Sequence, residues 1–398
     1  MHIEERLFTE IKAEYDVAVC GGGVAGIAAA LAAARCGKKV VLFERMFMLG
    51  GLATAGIITI YLPICDGLGR QVSFGLAEEL LRLSISDGYE ALYPENWLDS
   101  IGTRTDQDKR FKVRFNAQLF AILAEKILIE NKVDIKYGTA VVSVNLQANK
   151  IKHIIVNNKS GRIGYGVSSV VDATGDADVA NLSGVPTKIF NEGNKLAAWY
   201  YYVNDNGYHL NQLGISDIPD DEQFDKEKSK TLINQRFTGL DGDEISENMV
   251  LSHKIMYEDF LKKQLIDPSI LPVTIPTIPQ LRMTRRIIGE YELKASDNHK
   301  FFASSIGMVS SWKKRGPVYE VPFETLYSSK VKNLLCAGRC TAADDEMWDI
   351  MRVIPCCAVT GQAAGIAAAL SDDVATIDIC RLQDELRHQG VVLHEKDL

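Results

Sequence analysis

Residues 15–44, YDVAVCGGGVAGIAAALAAARCGKKVVLFE, constrain this chain more than any other stretch. Residues 17–20 are a short apolar run of the kind that forms a strand buried on both faces. Gly21-x-Gly23-x-x-Gly26 follows and opens a helix of Ala, Ile and Leu. A second apolar run, residues 40–43, ends on Glu44, 18 residues after Gly26. Strand, glycine turn, helix, strand and acid in that order are the dinucleotide-binding fingerprint. Gly21 permits the tight turn, Gly23 lets the backbone approach a pyrophosphate, and Gly26 lets the helix pack against the strand. The N–H groups and partial positive charge of the helix start suit phosphates, and Glu44 stands where an acid accepts from a ribose hydroxyl pair.

A chain of 398 residues with 46% hydrophobic content can form two or three domains around a sizeable core. Its net charge of −8 and the lack of a basic tract speak against nucleic acid or an anionic membrane as a partner. The first 16 residues mix acids and bases without an apolar centre, unlike a signal peptide. The longest apolar stretches, the glycine-turn helix and residues 358–370, are Ala-rich and short for a bilayer, so they read as buried helices in a cytoplasmic protein. Eight cysteines form no Cys-x-x-Cys pair, and the seven histidines show no metal-ligand spacing near them. Cys20, Cys36 and Cys336 read as buried thiols. Cys65, Cys340 and the vicinal Cys356 and Cys357 lie near glycine-rich segments.

Farther along, Gly50, Gly51 and Thr54 bring backbone close to something flat or phosphorylated, continuing the cofactor cradle. A helix is expected over residues 66–95, a strand over 111–115, and a helix over 116–131 capped by Asn116. Strands over 133–137, 140–146, 152–156 and 167–171 suit a small antiparallel sheet packed on a parallel one. Residues 170–176, VVDATGD, end a buried strand in Ala173, Thr174 and Gly175 at the carboxyl end of a sheet. Composition changes between residues 186 and 322: an aromatic strand at 199–202, a polar acidic stretch at 217–230, a helix over 246–265, an extended passage over 272–279, then Arg282, Arg285 and Arg286. Residues 331–339 return to a buried strand ending in Ala-Gly. Pro355 sits at the first turn of a helix with small residues at 358, 361, 364 and 365, and residues 377–393 read as a helix and a short strand.

In this order, the glycine turn, Glu44 with Gly50 and Gly51, Ala173-Thr174-Gly175, and Ala337-Gly338-Arg339 with the Gly361–Gly365 helix resemble the FAD-dependent oxidoreductases of the glutathione-reductase-like flavoprotein superfamily. More narrowly, Arg285-Arg286-Ile287-x-Gly289-Glu290-Tyr291, Val321-Pro322-Phe323 and the run from Asn333 to Arg339 resemble the bacterial FAD-dependent oxidoreductase family. The resemblance implies an α/β fold: a Rossmann-like FAD-binding domain, with a parallel sheet and a small antiparallel crossover sheet, at 1–185 and 323–398. An inserted α+β substrate or cap domain occupies 186–322. It implies FAD as cofactor, with Gly21, Gly23, Val24, Ala25 and Gly26 at the pyrophosphate, Glu44 at the adenosine ribose, Ala140 and Val141 at adenine, and Arg45 also binding the cofactor. Gly50, Gly51 and Thr54 approach the ribityl and isoalloxazine, and Ala173, Thr174, Gly175, Gly338, Arg339 and Ile354 complete the site. Arg339 replaces the Asp that orients the ribityl chain in the superfamily and suggests contact with a phosphate or ribityl oxygen.

The helix start at Ile354 would stabilise negative charge on reduced flavin. Arg352 either adds to this or pairs with Asp344, Asp345 or Glu346. Hydride transfer at flavin N5 needs a positioned substrate more than a catalytic side chain. Arginine forks match carboxylates, so Arg285, foremost of the arginine group, is the candidate for positioning a small, anionic substrate. No second nucleotide fingerprint and no redox Cys-x-x-x-x-Cys is present, which disfavours a disulfide reductase. The alternative is a superfamily member with non-redox chemistry, thiazole-synthase-like or RNA-modifying. The electron partner is not encoded in any motif, and an oligomer is compatible with the sequence.

Overall fold

The computed structural model describes residues 3–86, 113–214 and 231–398. Its centre is a sheet on which the fingerprint is laid out as the sequence predicts. Strand β1 (Glu10–Cys20) runs into the glycine turn, helix α1 (Val24–Arg35) follows, and β2 (Val40–Phe43) returns parallel to β1 with Val17 opposite Val40 and Cys20 opposite Phe43. The strand ends are apolar because both faces are covered, and residues 17–20 and 40–43 are fully buried.

The strand Asp134–Lys136 lies beyond β2, and the long strand Gly161–Asp172 lies on the other side of β1. That long strand explains how one sheet is both parallel and antiparallel. Its first half pairs antiparallel with Lys150–Asn158, which pairs in turn with Ala140–Gln147. On the same edge, its last three residues pair parallel with Leu334–Cys336. The parallel strands thus all end together near Cys20, Phe43, Asp172 and Cys336, where open α/β sheets bind ligands.

Helix α1 and the helix Ile354–Leu370 pack on each other and share the larger core with the hairpin Ser305–Ser310/Val318–Pro322. That hairpin falls inside the 186–322 stretch yet packs its Ile306, Val309 and Tyr319 among the residues of the nucleotide-binding part. A second, smaller assembly is the sheet Gly207–Asn211, Tyr200–Asn204, Leu271–Thr274, against which Gly242–Ile266 lays Met256 beside Ala198 and Tyr200.

Several elements differ from their predicted bounds. The helix expected from residue 66 begins at Leu76 and runs to Ile85, because Gly67, Gly69 and Gly75 take positive φ values that no helix accommodates. Asp66 instead closes a turn, accepting N–H bonds from Leu68 at 2.8 Å and Arg70 at 3.1 Å. The remainder of that predicted helix and the polar acidic stretch 217–230 lie outside the described residues. After the helix Ile379–His388, residues 391–394 form no strand. Asn116 caps Ala117–Glu130 as expected, accepting from the Leu119 N–H at 2.9 Å. Among the described residues no single helix is long and apolar enough to cross a membrane.

Candidate active site

Two loops cross where the parallel strands end. Gly21 has φ +105°, and a Cβ there would fall on the carbonyl of Ala173, whose own N–H donates to Cys20 O at 2.8 Å. A Cβ on Gly26 would collide with the carbonyl of Gly21, so α1 can start this close to the turn only with glycine. Gly23 differs: nothing lies within 4 Å of its Cβ position, because that side opens onto a cavity.

The cavity has a volume of about 460 Å³. Gly21, Gly23, Val24, Ala25, Glu44, Arg45, Gly50, Gly51, Ala140, Val141, Ala173, Thr174, Gly175, Gly338, Arg339 and Ile354 all line it. Of the residues singled out for the cofactor, Gly26 and Thr54 lie behind the wall. Gly26 serves the packing of α1, and Thr54 is buried with its hydroxyl on the Leu49 carbonyl, which folds the loop that carries Gly50 and Gly51. Gly50 N–H donates to Gly22 O at 2.8 Å, joining that loop to the glycine turn.

Glu44 has a part that its sequence position alone does not reveal. It is buried, and its carboxylate oxygens accept the N–H groups of Gly22 and Met46, each at 2.7 Å. The acid therefore braces the turn it faces. Asp172 does the same for the opposite wall. Its carboxylate accepts the Thr174 N–H and hydroxyl at 3.1 and 2.7 Å and the Ala180 N–H at 2.9 Å. Burial pushes Asp172 up to about 6, against the pull of those hydrogen bonds.

A second cavity of about 50 Å³ adjoins the first, sharing Leu52, Ala53, Arg339, Arg352 and Ile354 with it. One side is apolar, from Leu52, Ile58, Ile60, Leu62 and Val353; the other carries Arg282, Arg339 and Arg352. Each guanidinium is held from behind. Arg282 is buried 4.9 Å from the Trp199 ring. Arg339 donates to the carbonyls of Leu281 at 2.6 Å and Arg282 at 3.1 Å and pairs with Asp176 at 3.2 Å. These partners hold the Arg339 guanidinium in the wall of both cavities. Arg352 pairs with Asp349 at 2.6 Å, an acid outside the three considered from the sequence.

Arg285 lies off the lining of both cavities: it pairs with Asp178 at 2.7 Å and donates to the Asp176 carbonyl at 2.9 Å. Arg286 is fully buried with Glu292 at 2.6 Å. The strand alternation did separate these neighbours, but Arg282, just before the strand, is the one that reaches a cavity. Sequence reading also missed Asp176, Thr139, Leu281 and Thr284 of the large cavity. All eight cysteines are free thiols. Cys357 reaches the large cavity, but burial pushes its thiol up to about 12, so it stays protonated at neutral pH.

A family model described as FAD dependent oxidoreductase matches residues 16–236 and 197–386. The chain belongs to the FAD-dependent oxidoreductase family. It is 36% identical over 77 residues to a thioredoxin reductase of Ureaplasma parvum serovar 3, a match that covers 19% of this chain and a quarter of that protein. Among solved structures it is similar to a geranylgeranyl bacteriochlorophyll reductase-like protein from Thermoplasma acidophilum (12% identity, 95% of this chain and 84% of the other, TM-score 0.47). It is also similar to a flavocytochrome c3 fumarate reductase (15%, 90% and 78%, TM-score 0.43). Membership of the FAD-dependent oxidoreductase family makes FAD the cofactor of this protein, and the large cavity fits it. Its glycine turn is open on the Gly23 side, the N-terminus of α1 lacks a side-chain cap, and Glu44, Ala140, Val141 and Ile354 all stand in the cavity wall.

Proposed function

We propose that this FAD-dependent oxidoreductase moves a hydride between flavin N5 and a small anionic substrate held at the junction of the two cavities. The observation that carries this reading is the convergence of Arg282, Arg339 and Arg352 on the small cavity beside residues that line both. When bound, FAD supplies the hydride-accepting or hydride-donating centre. The chain supplies position. Guanidinium groups fixed by Trp199, Asp176 and Asp349 lose little freedom on meeting a carboxylate, which favours a defined orientation. Leu52, Ile58, Ile60 and Leu62 keep water from the opposite side and strengthen the attraction. The N-terminus of Ile354–Leu370, with Pro355 in its first turn and no side-chain cap, adds its partial positive charge at the same junction.

The test is anaerobic. Purified protein carrying FAD is mixed with a panel of small carboxylates and with uncharged analogues of equal size, and flavin absorbance is followed. Bleaching or reoxidation by carboxylates that the analogues do not produce supports the reading. Equal turnover of neutral analogues would overturn the anionic assignment and leave the flavoenzyme intact.

A further inference from the structure

The arginine closest to the helix start is part of a longer arrangement. Asp349 gives one carboxylate oxygen to Arg352, whose Nε and Nη2 lie 2.7 and 2.6 Å away, and the other to Lys313 Nζ at 2.6 Å. Trp312 fixes this arrangement. Its Nε1 donates to the Asp349 carbonyl at 2.9 Å, and its ring lies 5.6 Å from Lys313 Nζ and 5.7 Å from the Arg352 guanidinium. Asp349 is held down to about 2: burial alone would raise it, but Arg352 and Lys313 outweigh burial.

A carboxylate clamped on a single arginine cancels most of that arginine's field. Here the carboxylate has two cations on it, so Asp349, Arg352 and Lys313 together carry one positive charge rather than none. Lys313 lies on the outer side, one-third exposed, while Arg352 is nearly buried and lines the cavities. We propose that Lys313, although it lines neither cavity, is a positioning residue of the anion site. It occupies the second oxygen of Asp349, holds the carboxylate in one orientation for Arg352, and offsets its charge so that Arg352 attracts a substrate anion. This inference rests on the anionic-substrate reading above.

The experiment uses FAD-loaded full-length protein with acetate and succinate as probes, their binding read from changes in flavin absorbance. Lys313→Gln keeps its FAD content and melting temperature close to wild type but binds the probe about three- to tenfold more weakly at low salt. Lys313→Arg restores affinity to within about twofold, and the difference between Lys313→Gln and wild type narrows as salt rises. A residue that only stabilised the hairpin would lower melting temperature without moving probe affinity. If wild type responds to the probes and Lys313→Gln binds them equally well, the inference is overturned and the anion site stands. If neither probe perturbs the wild-type flavin and Arg282→Gln changes nothing, the anionic-substrate reading fails and takes this inference with it.

Discussion

Gly361 rests directly on the backbone carbonyl of Ala25; a Cβ at residue 361 would occupy the position of that oxygen, and Gly365 stands in the same relation to Ala29 one turn on. Two helices, each of them largely buried, meet backbone to backbone, one beginning at the glycine turn and the other at Ile354. Both starts reach the large cavity, through Val24 and Ile354. The spacing of these two helix starts at the cavity wall is therefore set by glycine contacts between their packed faces, and Ala25, which receives Gly361, itself lines the cavity.

The first prediction concerns that contact. Gly361→Ala or Gly365→Ala must push the helices apart, since backbone rather than a flexible side chain receives the new methyl group. The cost is about 1–3 kcal/mol, the range for overpacking a dense core. Urea midpoints measure it, and the same variants lose FAD on gel filtration more readily than wild type. A variant with an unchanged midpoint would show that the helices are free to separate.

Glu44→Gln provides a second test. One amide oxygen can serve Gly22 or Met46, but the –NH₂ cannot accept, so one buried N–H is left without its partner at about 1–3 kcal/mol. Because the Gly22 N–H belongs to the turn, FAD affinity falls about ten- to a hundredfold, read from fluorescence on titrating apoprotein. If Glu44 served the ribose alone and the brace were unimportant, apoprotein stability would be unchanged while FAD affinity fell; the brace predicts that both fall.

How much of this was legible follows from where the information lies. Gly21, Gly23, Gly26, Gly50 and Gly51 act through backbone geometry, and backbone requirements leave a local mark in spacing. The glycine-turn side of the large cavity could therefore be read off the chain, while the residues between 239 and 284 that line it could not. The parallel strand ends were legible for the same reason, as apolar runs stopping at Ala173 or Ala337. The small cavity was not. Arg282, Arg339 and Arg352 come from three separate segments, and what directs each guanidinium is a tertiary partner: the Trp199 ring, the Leu281 carbonyl, the Asp349 carboxylate. Nothing local distinguishes Arg282 from Arg285, since the difference is that Asp178 stands beside Arg285 in the fold. The false start of the second helix has a local cause that was present in the sequence, the glycines at 67, 69 and 75, outweighed there by the apolar spacing farther on.

Asp172 carries a pH prediction. Its native value is about 6 against an ordinary 3.8, so between those values the folded state keeps a proton that the unfolded chain releases. Its contribution is fully present below the ordinary value and lost as pH rises through about 6, amounting to about 2–3 kcal/mol. Asp172→Asn abolishes that slope. The difference in unfolding free energy between wild type and variant should shrink by about 2 kcal/mol from pH 4.5 to 7.5. A difference independent of pH would place the native value of Asp172 near that of an ordinary carboxylate.

The last prediction separates the two arginines that the sequence could not. Arg285→Gln removes the partner of Asp178 and the donor to the Asp176 carbonyl, at a partly buried site. It therefore costs about 1 kcal/mol of stability and changes KM for an anionic substrate by less than about threefold. Arg282→Gln removes charge from the cavity wall itself and keeps a polar side chain of similar reach. There KM rises about ten- to a hundredfold, by loss of a charge-assisted contact, with a smaller change in kcat if the contact is made equally in ground and transition states. Steady-state kinetics on both variants, each checked for FAD content, decide the matter. A large KM effect at Arg285 with none at Arg282 would move the substrate out of the small cavity and towards the Asp176–Asp178 loop. The reverse places the substrate carboxylate against Arg282, beside the residues that line both cavities.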